Sequence, residues 1–255
     1  MKTNRKSASS RGWALEAGSW TSAVGSLIAV DLAEVMDAFR AEAEELGRRA
    51  AEVSEDEWTR PTRCEPWSAR ELLGHVCVVI GWVPGMLTGP SPQRAEVSAA
   101  QYYRPDHRFA EAANTARISL AEEHASSHAS GAALAEDFGQ IWRRVDRQCR
   151  LEPDGRVVLT RHGDAMLLTD FMLTRVVEVA VHGLDLADAL GRKPWLTAPA
   201  GDLLLHLLAG SGADLVDGLG WSRPQFLRKA TGRAPLSTQE SDQVERLGLR
   251  WLALG

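Results

Sequence analysis

The sequence predicts a mainly α-helical bundle, and three observations support this fold class. Apolar residues recur at steps of three and four along four long stretches, which places them on one side of a helix. Only residues 156–168 have the short apolar runs of a β-hairpin. The chain has 255 residues with 44% hydrophobic content, enough for one large domain or a domain with an extension.

We divide the chain into three parts on the sequence alone. Residues 1–20 are basic and serine-rich, and we interpret them as a flexible leader. A secretory signal is disfavoured because Glu16 precedes the apolar stretch and no small-residue cleavage site stands out. We expect residues 21–192 to form the metal-binding helical bundle and residues 193–255 to form a short helical C-terminal extension.

The composition limits the partners and the compartment. The net charge is −5, and no basic run with interleaved aromatic residues occurs, so we expect no nucleic-acid partner. The longest apolar run, residues 76–87, contains two glycines and a proline and is too short to cross a membrane. Cys64, Cys77 and Cys149 are odd in number and widely spaced, which argues against disulfides and favours a reducing cytoplasm.

The first two helices follow from periodicity and capping. Apolar residues at helical spacing from Ile28 to Val53, with acidic residues between them, predict a long amphipathic helix. The loop 60–67, with two prolines, follows it. Ser68, with Glu71 three residues later, has capping-box spacing and begins a second helix that is apolar on nearly all sides up to residue 87.

The middle of the chain predicts two further helical segments, 107–127 and 131–150, or one kinked helix. In EEHASSH, His124 and His128 stand four residues apart, the spacing of a metal-binding pair. Their neighbours are Glu, Ser and Ala, so we interpret this face as solvent-exposed rather than as a ligand pair.

The hairpin leads into a central helix that Thr169 or Asp170 caps and Gly191 ends. After it, residues 200–219 predict another apolar helix. Residues 222–248 predict two short helices about a turn.

The central helix, residues 168–190, carries the chemistry. It is apolar over most of its circumference, as buried helices are, yet Arg175, Glu178, His182 and Asp185 share one stripe at steps of three, four and three. Charges on a buried helix are costly unless they pair or bind a metal. Glu178 and His182, one turn apart, can bind one ion. A solvated strip or an internal ion-pair network is the alternative.

His75, in the middle of the second helix, offers a third ligand. A lone histidine on such a helix is more often a core residue with one hydrogen bond. In helical bundles, however, metal sites are built inside from facing helices. This joins His75 to Glu178 and His182, and two imidazoles with a carboxylate are the usual ligands of a catalytic zinc or non-haem iron.

Three further residues are candidates for catalytic roles. Arg175 and Arg233 could each bind a substrate carboxylate through a bidentate guanidinium, although Arg233 could equally be a surface or tail-packing arginine. Asp185 could orient His182 or a helix end, as carboxylates commonly do beside ligating histidines. We interpret Cys77, two residues past His75, as a core residue facing away from it.

Two motifs resemble a known family. TRCEPWSARELLGHV and RVVEVAVHGLDLADALG resemble the first and second motifs of the mycothiol-dependent maleylpyruvate isomerase family, in the DinB/YfiT-like superfamily. TGRAPLS resembles a tail that is common in its single-domain actinobacterial members. The resemblance covers most of residues 25–250.

The resemblance implies a DinB-like four-helix bundle whose metal ligands are His75, Glu178 and His182. It implies a divalent metal, zinc first, with nickel or iron possible. It also implies mycothiol or a related thiol as cosubstrate of an isomerase or S-transferase. The C-terminal part is short and helical where the isomerase has a full second domain, which puts maleylpyruvate in doubt as the substrate.

The leading hypothesis is therefore a metal-dependent enzyme that acts on a small molecule through a metal-activated thiolate, as a monomer or homodimer. A metal-dependent hydrolase, lyase or cyclase that uses no thiol is the second reading. A non-catalytic metal-binding module is the third. An open site beside basic residues would favour the first, an open site in an apolar cavity the second, and a closed site the third.

Overall fold

The computed structural model describes residues 30–103 and 110–249, and it confirms the mainly α-helical bundle with one small hairpin. The predicted leader lies outside the described residues. The helices are α1 (Leu32–Ala50), α2 (Ala69–Gly81), α3 (Val83–Thr88), α4 (Ala99–Tyr102), α5 (Glu111–Ser126), α6 (Gly131–Cys149), α7 (Leu168–Ala189), α8 (Ala198–Ala209), α9 (Ala213–Asp217), α10 (Arg223–Ala230) and α11 (Thr238–Arg246). Strands β1 (Val157–Leu159) and β2 (Ala165–Leu167) pair antiparallel between α6 and α7.

Helix α2 lies at the centre of the packing that positions the site. It contacts α5, α6 and α7, while α1 packs against α6 and α7 from the other side. The C-terminal helices α8 and α10 pack against each other, with α8 on α1 and α10 on α7. The core between the helices is fully buried and includes Phe39, Phe138 and Phe171.

The sequence of α2 explains both its start and its close packing. Ser68 and Glu71 form the predicted capping box, in which the Ser68 N–H donates to Glu71 Oε2 over 2.7 Å. At Gly74, an added Cβ would lie 2.7 Å from the carbonyl oxygen of Ala121 in α5. The close approach of α2 and α5 therefore requires glycine at this position.

Two predicted helices are interrupted in the structure. The second helix breaks at Trp82 into α2 and α3, because Pro84 at the start of α3 has no N–H to continue the helical hydrogen bonds. The predicted helix over residues 200–219 ends at Gly210, which has a φ of +54°, and α9 follows it. The helical spacing of apolar residues continues through both breaks, so the sequence predicted one uninterrupted helix in each place.

The ends of the central helix match the prediction in one case and differ in the other. Gly191 has a φ of +65° and follows the end of α7, as predicted. Thr169 and Asp170 do not cap α7, because the helix already begins at Leu168, directly after β2, with Leu167 as its N-cap. Asp170 instead accepts a hydrogen bond from the Ala99 N–H of α4 over 3.1 Å.

The stretch Ala69–Thr88, which spans α2 and α3, is longer than the apolar run considered in the sequence. By length and composition alone it could cross a membrane, but 56% of its most apolar window is buried inside the protein. A core helix has the same properties, so this is weak evidence for a membrane span.

Glu42 lies in the core of the bundle, although its position among acidic residues of α1 suggested a polar face. Its Oε2 accepts hydrogen bonds from the Thr197 N–H (2.8 Å) and Oγ1–H (2.6 Å). Its buried Oε1 has no partner among the described residues. Burial raises the pKa of Glu42 from its ordinary value of 4.5 to about 6, and the hydrogen bonds from Thr197 only partly oppose this.

We expect Glu42→Gln to stabilise the protein above pH 6. Below about pH 4.5 the carboxyl is protonated in both folded and unfolded chains, whereas above about pH 6 the folded chain holds a buried carboxylate. The raised pKa therefore lowers the free energy of unfolding by about 2 kcal/mol as the pH rises through this window. Urea unfolding at several pH values measures the difference, with Glu44→Gln on the exposed side of α1 as control. Equal pH profiles for wild type and Glu42→Gln would contradict this.

Candidate metal centre

Three predicted donors lie together between α2 and α7. Nε2 of His75 is 3.4 Å from Oε2 of Glu178, and Nε2 of His182 is 3.3 Å from the same oxygen. One donor atom from each residue lies within 4.8 Å of the other two. Because α2 packs on α7 at this level, two helices that are distant in sequence supply one cluster.

The ring of His75 is held mainly by packing. Trp67, from the loop before α2, stacks on it with ring centroids 4.6 Å apart. Its Nδ1 is buried and has no hydrogen-bond partner among the described residues. Burial lowers the pKa of His75 to about 4, and the hydrogen bond to Glu178 only partly opposes this. The imidazole is therefore neutral at pH 7, which is the form that binds metals.

His182 lies between two carboxylates. Its Nδ1 is 3.1 Å from Oδ2 of Asp185, so Nε2 faces Glu178. Burial opposes a charge on this ring, but the contacts with Asp185, Cys64 and Glu178 outweigh it and raise the pKa of His182 well above its usual range. When no metal ion is bound, the His182 ring carries a proton on Nε2 as well as on Nδ1, because it lies between the carboxylates of Glu178 and Asp185. A metal on Nε2 would replace that proton.

Arg175 lies beside Glu178 and is buried. Its Nη2 is 3.8 Å from Oε1 of Glu178, while its other contacts are hydrogen bonds to the Val79 carbonyl (3.0 Å) and to Thr174 Oγ1 (3.1 Å). Burial opposes ionisation of Glu178, but hydrogen bonds from His182 and His75 and the charge of Arg175 outweigh it, so its pKa lies well below the usual range. These contacts favour a role for Arg175 in positioning Glu178 over the predicted role in binding substrate.

Asp185 connects the cluster to the C-terminal extension. Arg233 grips it with two hydrogen bonds, Nε to Oδ1 (2.7 Å) and Nη2 to Oδ2 (2.8 Å). The Cys64 thiol donates to Oδ2 over 3.3 Å, and Arg63 Nε lies 3.9 Å from Oδ1. Burial alone would raise the pKa of Asp185, but His182 and Arg233 hold it far below its usual range. The carboxylate that Arg233 binds in this structure is thus one of the protein's own.

The donor set fits a zinc ion. With zinc–nitrogen distances of about 2.0–2.1 Å, two ligands of a tetrahedral site lie about 3.4 Å apart, close to the separations measured here. The Asp185 contact on the far nitrogen of His182 is the arrangement that normally orients a ligating histidine. The side chains of His182 and Glu178 are 12% and 19% exposed, so the cluster is largely but not completely shielded from solvent.

Cys64 and Trp67 were not among the predicted site residues, although the loop motif that contains them had been singled out. Cys64 forms a second donor group with His182 and Asp185. The spacing of the loop residues from His75 has no helical period, so periodicity could not assign them. The dense grouping of Cys, Trp and His within twelve residues was the available signal.

Comparison with known proteins gives one family and two relatives. Residues 39–187 match the family described as "Mycothiol maleylpyruvate isomerase N-terminal domain". Uncharacterized proteins from two strains of Mycobacterium tuberculosis are each 27% identical over 250 residues, covering 84% of this chain and 91% of the relative.

Two solved structures are similar to this chain, and the first shares its fold. One is a histidine-to-alanine mutant of the mycothiol-dependent maleylpyruvate isomerase, with a TM-score of 0.50 and 16% identity over 71% of this chain and 70% of that one. The other is the isomerase without that substitution, with a TM-score of 0.49. At this identity the likeness concerns the fold alone.

Proposed function

This chain belongs to the mycothiol maleylpyruvate isomerase N-terminal domain family, and on that premise we propose that it is a cytoplasmic, thiol-dependent enzyme acting on a small molecule. We further propose that its site holds a divalent metal, zinc first, on His75, Glu178 and His182. The observation that carries the proposal is the approach of two imidazole nitrogens to one carboxylate oxygen, at 3.4 and 3.3 Å, in a mostly buried cluster.

The surrounding residues would prepare the donors for a cation. Oδ2 of Asp185 accepts a hydrogen bond from the Nδ1–H of His182, which leaves the Nε2 lone pair for a ligand. Arg233 balances the charge of Asp185 and fixes its orientation through two hydrogen bonds. Trp67 covers the face of His75 and keeps water from it. A bound zinc ion would lower the pKa of a coordinated thiol or water.

Arginines near the donors support an anionic substrate. The charge of Arg117 acts on both His75 and Arg161. Burial lowers the pKa of Arg161, the interaction with Tyr102 partly opposes this, and the charges of Arg117 and Arg175 lower it further. The charges of these arginines act on one another and on His75, which favours a carboxylate-bearing substrate and the thiol-dependent reading.

The chemistry that fits best is reversible thiol addition to an activated carbon–carbon double bond. The thiolate sulfur forms a bond to one alkene carbon, and the π electrons move to the conjugated carbonyl oxygen as an enolate. The former double bond rotates. The enolate then re-forms the double bond and expels the thiolate, so the thiol is returned and only the alkene geometry changes. Displacement of a leaving group by the same thiolate would make the enzyme an S-transferase.

Turnover with thiol and metal tests this proposal. Zinc-loaded protein is incubated with mycothiol and a panel of cis-unsaturated dicarboxylates that includes maleylpyruvate, and proton NMR follows the alkene signals. We expect isomerised alkene or an S-conjugate that requires both zinc and thiol and is lost in His182→Ala. His206→Ala, outside the candidate donor groups of the described residues, is the matched control and should retain activity.

Two results would overturn the thiol-dependent reading. The first is zinc-dependent turnover that does not change when mycothiol is omitted, which would support a hydrolase, lyase or cyclase. The second is zinc binding with no heat of mycothiol binding in calorimetry and no turnover, which would support a non-catalytic metal-binding module.

A further inference from the structure

A second cluster of metal-ligating side chains lies on the opposite side of α2 from His75. His124 of α5 and His128, in the turn after α5, both approach Asp137 of α6. Their Nε2 atoms are 3.1 and 3.3 Å from the same oxygen, Oδ2 of Asp137. The Sγ of Cys77 on α2 lies within 4.8 Å of the donor atoms of His124 and Asp137.

This face is less exposed than the sequence suggested. Neighbouring Glu and Ser residues predicted a solvated surface, but the side chains of His124, His128 and Asp137 are only 26%, 19% and 29% exposed. The reason is the close contact between α5 and α2 at Gly74. Arg70 of α2 adds to it by donating one hydrogen bond to the carbonyl of His128, which anchors the turn.

The hydrogen bonds around His128 leave a lone pair facing the carboxylate. Its Nδ1 lies 2.9 Å from the carbonyl oxygen of His124, which can only accept, so Nδ1 carries the proton. In the neutral ring, Nε2 then has a lone pair 3.3 Å from Oδ2 of Asp137. Two lone pairs at this distance repel each other unless a proton or a metal ion lies between them. When a histidine binds a metal through one ring nitrogen, its other nitrogen usually donates a hydrogen bond to a group such as a carbonyl.

We propose that Cys77, His124 and Asp137, whose donor atoms lie within 4.8 Å of one another, bind a second transition-metal ion, with His128 facing the same oxygen of Asp137. Nitrogen, oxygen and sulfur ligands match zinc, and hard cations such as magnesium and calcium prefer oxygen ligands. Coordination by Cys77 releases its thiol proton to solvent. The ligands come from α2, α5 and α6, so the ion would link these three helices.

The two clusters share one local feature. In each, two imidazole nitrogens approach one carboxylate oxygen at 3.1–3.4 Å. They differ in that the second includes a buried thiol. The second ion does not depend on the proposed function, because none of its ligands belongs to the first cluster.

Zinc counting separates the two sites. Purified full-length chain is stripped with chelator, reloaded with zinc and analysed by mass spectrometry for metal per chain. We expect two ions for wild type and for His206→Ala, one for His75→Ala and one for His124→Ala/His128→Ala. If the double variant does not fold, His128→Gln alone and Asp137→Asn alone take its place, each with at least a tenfold loss of affinity at one of two sites.

Replacement of zinc by cobalt tests whether the Cys77 sulfur is a ligand. Wild type should show a near-ultraviolet sulfur-to-cobalt absorption band that Cys77→Ser lacks, since the first cluster binds through nitrogen and oxygen. Identical cobalt spectra for wild type and Cys77→Ser would overturn Cys77 as a ligand. A single zinc ion in wild type that His75→Ala loses, or a full zinc complement retained by the folded histidine double variant, would overturn the second site altogether.

Discussion

His75→Ala is expected to remove one zinc ion per chain and to abolish thiol-dependent turnover. Changes to residues that merely support a metal ligand typically cost about 10–100-fold in metal affinity, so removal of one of three ligands should cost more than about 100-fold. The remaining donors, Glu178 and His182, lie on one helix and offer only two contacts. Metal analysis after dialysis against a weak chelator, together with NMR turnover, measures the loss.

A second variant separates loss of a ligand from loss of packing, because His75 is buried and stacks on Trp67. Glu178→Gln keeps the shape of the side chain but removes the anionic oxygen that both histidines face. It should lose the same ion while circular dichroism stays unchanged. Retention of a full zinc complement by both variants would remove this cluster as a metal site.

Arg233→Met is expected to lower the free energy of unfolding by roughly 3–5 kcal/mol. Asp185 is fully buried, and Arg233 provides its two shortest hydrogen bonds, so the substitution leaves a buried carboxylate without its main partner. The contact with Arg63, at 3.9 Å, is too long to replace them. Urea unfolding at pH 7 with an unchanged denaturant slope measures the effect.

The matched control is Arg228→Met. Arg228 pairs with Asp188 between α10 and α7, but the side chain of Asp188 is 44% exposed, so the pair should contribute only about 0–1 kcal/mol. Adding Asp185→Asn to Arg233→Met should recover part of the loss, because the unpaired charge is then gone. Equal destabilisation by Arg233→Met and Arg228→Met would mean that Arg233 does not hold Asp185 in its buried state.

Local patterns in the sequence predicted the helices well wherever one residue or its near neighbours decide the structure. The capping box at Ser68 and the glycine after α7 are such cases. Contacts from distant parts of the chain could not be predicted in this way. Glu42 is acceptable in the core only because Thr197, 155 residues away, donates two hydrogen bonds to it.

The same distinction applies to the candidate site. The spacing of Glu178 and His182 is a helical repeat, and the rule that bundles bind metals between facing helices brought His75 to them. Periodicity carries no information on Cys64 and Arg233, which reach Asp185 from loops 121 and 48 residues away. His124 and His128 had the spacing of a ligand pair, but Asp137, which makes them a cluster, lies on another helix.

Gly74 is a position at which this protein cannot accept an amino-acid substitution without a change in its packing. Even the smallest side chain at this position would place its Cβ 2.7 Å from a backbone oxygen of α5 and 3.1 Å from the methyl group of Ala125. The backbone oxygen cannot rotate out of the way as a flexible side chain would. Any replacement would therefore push α2 and α5 apart and separate Cys77 from His124. A substitution at Gly74 would thus disturb both histidine clusters, through His75 one residue later and Cys77 three residues later.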